Sequence, residues 1–183
     1  MKYSFKNDYS EGCHPKILEA LSQYNLDQQN GYGLDIYSEN AANIIREKSK
    51  SPESKVHLVS GGTQANLIVI SSILRPHESV VSANTGHIFT NETGAIEATG
   101  HKVHGVETKD GKLRPEDIQN VLDVHTNVPH QVKQKLVYIS NSTEVGTIYT
   151  KKELENLSEF CKKKNLYLFM DGARLGHALT AKS

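Results

Sequence analysis

The run Leu166-Tyr167-Leu168-Phe169-Met170 leads straight into Asp171, and Gly172-Ala173-Arg174-Leu175 follow. A short unbroken apolar run reads as a strand buried on both faces. A carboxylate at its carboxyl end is costly to bury without a partner. It suits a site where a cationic ring nitrogen, a pyridinium for instance, meets it. Arg174 adds a planar fork shaped for a carboxylate or phosphate. An internal Asp171–Arg174 ion pair that caps the strand explains the segment equally well. The second candidate is Ser60-Gly61-Gly62-Thr63-Gln64-Ala65-Asn66. Its two glycines let backbone N–H groups approach a ligand, Thr63 adds a hydroxyl, and the helix that opens there favours an anion. It is neither a Gly-Lys-Ser/Thr phosphate loop nor a dinucleotide GxGxxG, and a tight turn with a threonine cap is the alternative.

The elements that must position these groups alternate. Strands are predicted over 55–60, 79–83, 101–106, 135–140 and 166–170. Helices are predicted over 64–74, from Pro115 to about residue 123, and from a Thr150 cap with Glu153 three residues on to about residue 164. This order argues for an α/β fold, a mostly parallel sheet with helices on both faces. Ligands in such sheets bind beyond the carboxyl ends of the strands. Before residue 55 the pattern differs: helices over 15–24 and 37–50 flank a polar loop over 28–35. Two regions are expected, an N-terminal arm with helices over 1–54 and a ligand-binding domain over 55–183.

Composition narrows the classes. With 37% hydrophobic residues in 183, the chain has enough apolar material for one core. Lys+Arg 21 balances Asp+Glu 21, which gives no electrostatic case for nucleic acid or an anionic membrane. No apolar run approaches the ~20 residues of a membrane helix, and the N-terminus lacks a signal-type apolar stretch. Cys13 and Cys161 are far apart and outside metal-ligand spacing, so two reduced thiols and a cytoplasmic location are expected. His14, His57, His77, His101, His104, His125 and His130 read mostly as surface groups. His177 reads as a packing residue near the Asp171 segment.

Taken in order and separated by three strands, the Gly61 and Asp171 motifs resemble the fold-type I (aspartate-aminotransferase-like) pyridoxal-phosphate enzymes. The threonine aldolase and β-eliminating lyase branch is the nearest likeness. The resemblance runs from about residue 5 to the end. Gly61, Gly62 and Thr63 are similar to that family's phosphate cup. Gly86-His87-Ile88-Phe89 with Glu92 and Gly94 is similar to the segment whose imidazole stacks on the cofactor ring. Asp171-Gly172-Ala173-Arg174-Leu175 is similar to the segment whose Asp meets the pyridine nitrogen and whose Arg reaches the cofactor or the substrate carboxylate. Tyr32-Gly33-Leu34-Asp35 is similar to an N-terminal segment that serves the partner subunit's site.

The resemblance implies retro-aldol cleavage of β-hydroxy-α-amino acids to glycine and an aldehyde. His87, Asp171 and Arg174 would act on the cofactor and substrate, and the complete form would be a homodimer or homotetramer. Two departures matter. Where the family has a Glu-Asn-Thr-His-like segment, this chain has Ser140-Asn141-Ser142-Thr143-Glu144. Asn141 is kept, Thr143 falls at the histidine, and Glu144 is the substitute base. Asn7 falls where the family tends to have a Ser near the substrate carboxylate. These changes leave β-elimination and transamination open. The family's cofactor-anchoring lysine belongs to a later Gly-rich segment, whereas Lys182 is the only lysine after Asp171 and reads as a surface group. The large domain is therefore expected to be incomplete at its C-terminus and the small domain absent. A non-catalytic fragment that binds the cofactor weakly is the third reading.

Overall fold

The computed structural model describes residues 3, 4, 6, 7, 9 and 11–181. The chain forms two units, Met1–Leu58 and Val59–Ser183. In the first, helix α1 (Pro15–Tyr24) starts where Pro15 suits the first helical position and the His14 ring accepts the Lys16 N–H. Helix α2 (Ile36–Lys48) is capped by Asp35, which accepts from the Ser38 N–H at 2.7 Å and the Ser38 hydroxyl at 2.6 Å. The strand predicted over 55–60 does not form. Leu58 and Val59 are exposed. A β-rich run becomes a strand only where a neighbour takes its backbone hydrogen bonds and its apolar face.

In the second unit the order is α3 (Gly62–Ile73), β1 (Glu78–Ala83), α4 (His87–Thr90), a 3-10 turn (Glu92–Gly94), α5 (Ala95–Ala98), β2 (Val103–Val106), α6 (Pro115–Val124), β3 (Lys133–Ser140), α7 (Lys151–Lys163), β4 (Tyr167–Asp171) and α8 (Leu175–Thr180). The four strands are all parallel in the order β2-β1-β3-β4. Because side chains alternate along a strand, β3 feeds two cores. Val137 and Ile139 pack with Ile118 of α6 and with Leu157 and Cys161 of α7. Leu136 and Tyr138 face the other way, onto Ile70 of α3, Ile88 of α4 and Ile96 of α5. The predicted sheet with helices on both faces is the one observed. The Thr150–Glu153 capping box also forms and opens α7.

Two expectations are corrected. The 166–170 run is not buried on both faces: β4 pairs with β3 alone and its residues are only partly covered. Its apolar content matches an interior strand, while its position here is an edge. His101 and His104 are buried rather than on the surface. His104 Nε2 lies 3.1 Å from Ser79 Oγ, and its ring packs edge-on against His125 at 4.5 Å.

Burial, followed by the neighbouring His125 and Lys102 charges, pushes the His104 pKa down to about 4. The unfolded chain takes up this proton near the ordinary histidine value, so the stabilisation is complete above about pH 6.5. It is lost as pH falls from there toward 4, because the unfolded state binds more protons in that window. The loss attributable to this ring is on the order of 3 kcal/mol. Urea melts across the window should show a steeper pH slope for the native chain than for His104→Gln; equal slopes would remove His104 as the cause.

Candidate active site

The carboxyl ends of β1, β3 and β4 hold a group of polar side chains that all belong to the second unit. The segment after β1 turns at Gly86, where a Cβ would run into Ser82 Oγ, so only glycine fits this close approach. His87 follows at the start of α4, with its backbone N–H 3.2 Å from Glu144 Oε1. Its Nδ1 lies 2.8 Å from Oε1 of Glu92, whose side chain is 1% exposed while that of His87 is 39% exposed. Asn66, buried on α3, donates from Nδ2 to the same Glu92 oxygen at 2.8 Å and to Asp171 Oδ2 at 3.1 Å.

Asp171 ends β4 with two further donors, the Tyr138 hydroxyl at 2.8 Å to Oδ2 and the Ala173 N–H at 3.0 Å to Oδ1. Three neutral donors, rather than Arg174, meet its oxygens. Burial, ahead of the Asp171 and Glu144 charges nearby, pushes the Tyr138 phenol well above its ordinary value and keeps it a donor. Ser140 donates to Glu144 Oε1 at 2.6 Å and approaches the Tyr138 hydroxyl at 3.3 Å. The contacts therefore close a ring: His87, Glu92, Asn66, Asp171, Tyr138, Ser140, Glu144 and back to the His87 N–H.

Asn66 stands one helical turn beyond the start of α3. Gly61 caps that helix without a side-chain hydrogen bond, and an added Cβ at Gly61 or Gly62 would meet nothing within 4 Å. The first intrahelical bond comes from Ala65 to Gly61 O. The N–H groups of Gly62, Thr63 and Gln64 precede it and so have no partner within the helix. Gln64 folds back to accept from the Ser60 N–H and hydroxyl at 2.7 and 2.8 Å, which fixes the turn.

The structure thus brings His87, Glu144 and Asp171 together, one turn from the open Gly61-Gly62-Thr63 end. Asn141 is buried with its amide oxygen 3.1 Å from the Tyr149 N–H, and its own N–H bonds Asp171 O, so it ties β3 to β4. Thr143 is also buried, with its hydroxyl 2.7 Å from that of Thr147, while the next residue, Glu144, accepts from the His87 N–H. Arg174 precedes α8 and is partly buried, and His177 is exposed rather than packed. Asn7 and Tyr32 belong to the first unit; Asn7 Oδ1 lies 3.3 Å from the Tyr9 N–H and Tyr32 is fully exposed. Lys182 lies outside the described residues. Among the described residues no group of His, Cys, Asp and Glu could hold a metal, and no helix is long and apolar enough to cross a membrane.

Asn66, Tyr138 and Ser140 carry the ring although residue type and order assign none of them a role of its own: Asn66 and Ser140 stand only as members of motifs, and Tyr138 only within the strand over 135–140. Their signal was periodicity. Asn66 is spaced with Ile70 and Leu74 on the buried stripe of α3, and Tyr138 and Ser140 alternate onto the face of Leu136.

Residues 9–183 match the family profile of the beta-eliminating lyases. The chain belongs to this family. Within the beta-eliminating lyase likeness, a solved threonine aldolase from Leishmania major superposes with a TM-score of 0.94 at 55% identity, covering 97% of this chain and 52% of that one. The low specificity L-threonine aldolases of Pseudomonas sp. and Pseudomonas aeruginosa are 33% and 31% identical over 176 residues. Those alignments cover 95% of this chain and 50% of each relative, so the chain spans about half the length of the curated relatives it matches.

Proposed function

We propose that this chain carries the cofactor cradle of a pyridoxal-phosphate-dependent amino-acid lyase of the low-specificity L-threonine aldolase type, which releases glycine and an aldehyde from β-hydroxy-α-amino acids. The observation that carries the reading is the hydrogen-bonded ring that links His87 to Asp171 beside the open end of α3. The residues fit the cofactor chemically. Free N–H groups at Gly62, Thr63 and Gln64, with the Thr63 hydroxyl, suit a phosphate. Asp171, tied to Glu92 through Asn66, is the carboxylate that would meet a cationic ring nitrogen.

Bound pyridoxal phosphate supplies an electron sink for the charge left on the substrate α-carbon when the Cα–Cβ bond breaks. Asp171, held by its three donors, would hold the cofactor's protonated ring nitrogen, and His87 would hold its ring face. Glu144 is the group assigned to accept the β-hydroxyl proton, since the Thr143 hydroxyl is engaged with Thr147 and Ser140 steadies the carboxylate. Arg174 is assigned to the substrate or cofactor anion, with Asn7, Tyr32 and Asn141 as weaker substrate candidates. The complete protein is proposed to be a cytoplasmic homodimer or homotetramer that acts on a small amino acid, without nucleic-acid or membrane partners.

Equilibrium dialysis of the chain against pyridoxal phosphate tests the cradle, and product analysis with L-threonine tests the reaction. Saturable binding that inorganic phosphate competes for is expected, with glycine and acetaldehyde in equal amounts wherever turnover occurs. Absence of saturable binding would overturn the cradle. Ammonia and a keto acid in place of glycine would move the assignment to β-elimination.

A further inference from the structure

Glu92 is an expensive residue to keep where it is. It has φ +61 and the following Thr93 has φ +51, two non-glycine residues in succession in the left-handed region. That conformation costs roughly 1 kcal/mol or more at each. Its carboxylate is buried, and Oε2 has no hydrogen-bond partner. Burying a carboxylate with one oxygen unmet is unfavourable for folding, and an apolar side chain would serve the core better.

The donors around Oε1 give the carboxylate a task. Asn66 has two amide hydrogens and spends one on Glu92 and one on Asp171, so its orientation is fixed by two acceptors. The other group at Glu92 Oε1 is His87 Nδ1, 2.8 Å away. An ionised carboxylate only accepts, so the hydrogen of that contact belongs to Nδ1 of the imidazole. In the neutral ring this leaves Nε2 as an acceptor. The proton is thereby placed on one nitrogen by the protein rather than by the ring's own preference.

We propose that Glu92 is a positioning residue: it fixes the tautomer and ring plane of His87 and, through Asn66, locks His87 to Asp171 as one unit. The proposal deepens the cradle reading, because His87 and Asp171 are the groups assigned to the face and the nitrogen of the same ring. Its core statement concerns the chain alone, so it can fail or stand independently of cofactor binding. A tilt of the imidazole is resisted by Asp171 through two intervening side chains, the Glu92 carboxylate and the Asn66 amide.

The test is the nitrogen spectrum of the histidine rings. The chain, labelled with 15N in imidazole, is recorded by long-range proton–nitrogen correlation at about pH 8, above the usual histidine range, with His87 assigned by its loss in His87→Asn. The expected pattern is a protonated Nδ1 and a bare Nε2. Glu92→Ala should release His87 to the Nε2–H form or to averaging between the two. Glu92→Gln, whose amide oxygen still accepts, should retain Nδ1–H. A wild-type His87 protonated on Nε2 overturns the proposal, whether or not any variant folds. So does a folded Glu92→Ala chain, with the buried His104 signals unmoved, that keeps the wild-type His87 pattern. A second reading comes from 4′-deoxypyridoxine phosphate, which cannot react with lysines. Its affinity should fall about tenfold in Glu92→Ala, as when an outer partner of an orienting histidine is removed, and recover in Glu92→Gln; an unchanged affinity in Glu92→Ala counts against the lock to Asp171. If the cradle reading is wrong, the analogue does not bind the wild type at all, and the tautomer result stands by itself.

Discussion

Asp171→Asn is expected to weaken binding of pyridoxal phosphate by about thirtyfold, the equivalent of about 2 kcal/mol for a hydrogen bond to a charged group. The substitution keeps the shape of the side chain and removes the charge. The loss should be specific to the ring nitrogen, and that gives the measurement its control. A benzene-ring analogue, with phosphate and hydroxyl groups retained, has no nitrogen for Asp171 to meet and should bind wild type and variant alike. If both compounds lose affinity equally, the variant has disturbed the cradle and Asp171 is not the nitrogen's partner. If neither does, the carboxylate plays no part in binding. The variant's single amide oxygen can still accept from the Ala173 N–H, while its NH2 takes the place of Oδ2 opposite the Asn66 amide and the Tyr138 hydroxyl. A urea melt therefore accompanies the binding measurement to establish that the variant is folded.

Leu136→Ala should remove about 3 kcal/mol of stability, a large share of the ~5–15 kcal/mol typical of a domain. Leu136 is fully buried at the middle of the sheet, paired to Val80 on one side and Tyr167 on the other. Its side chain sits with Ile70, Ile88 and Ile96. Those three hold α3, α4 and α5, the elements that carry Asn66, His87 and the approach to Glu92. The same cavity should therefore weaken cofactor binding in the fraction that remains folded. A urea midpoint shifted downward at unchanged slope is the expected result. A shift below about 1 kcal/mol would mean that the two cores are not as dependent on β3 as the packing indicates.

Much of the second unit was legible because its signals are local or periodic. The Thr150–Glu153 box, the Pro115 start of α6 and the alternation of strand and helix needed no tertiary information. The failures are the places where a neighbour decides. Residues 55–60 have a strand's composition but no ladder to join. The 166–170 run has an interior strand's composition but is paired on one side only, and composition cannot count neighbours. The segment over 87–98 breaks into pieces of three and four residues with left-handed turns, too short for any period to show. His87, Asp171 and the Gly61 turn were found through residue type and order. Glu92 was noticed as part of a motif, but its burial against Asn66 depends on a helix folded over the sheet from another part of the chain. His104 reads as one more polar residue until β1 and β3 close over it.

The bond between Asn66 and Asp171 spans 105 residues of sequence. At roughly 5–20 residues per second of synthesis, about 5–20 s separate the emergence of its two ends. During that interval Glu92 can hold His87 and Asn66, but the ring of contacts stays open on its other side. It closes only when β4 has docked on β3. The clasp therefore marks a stage of assembly. A ligand that needs both sides of it reads out the docking of β4 on β3, and its arrival adds stability only to chains that have reached that point.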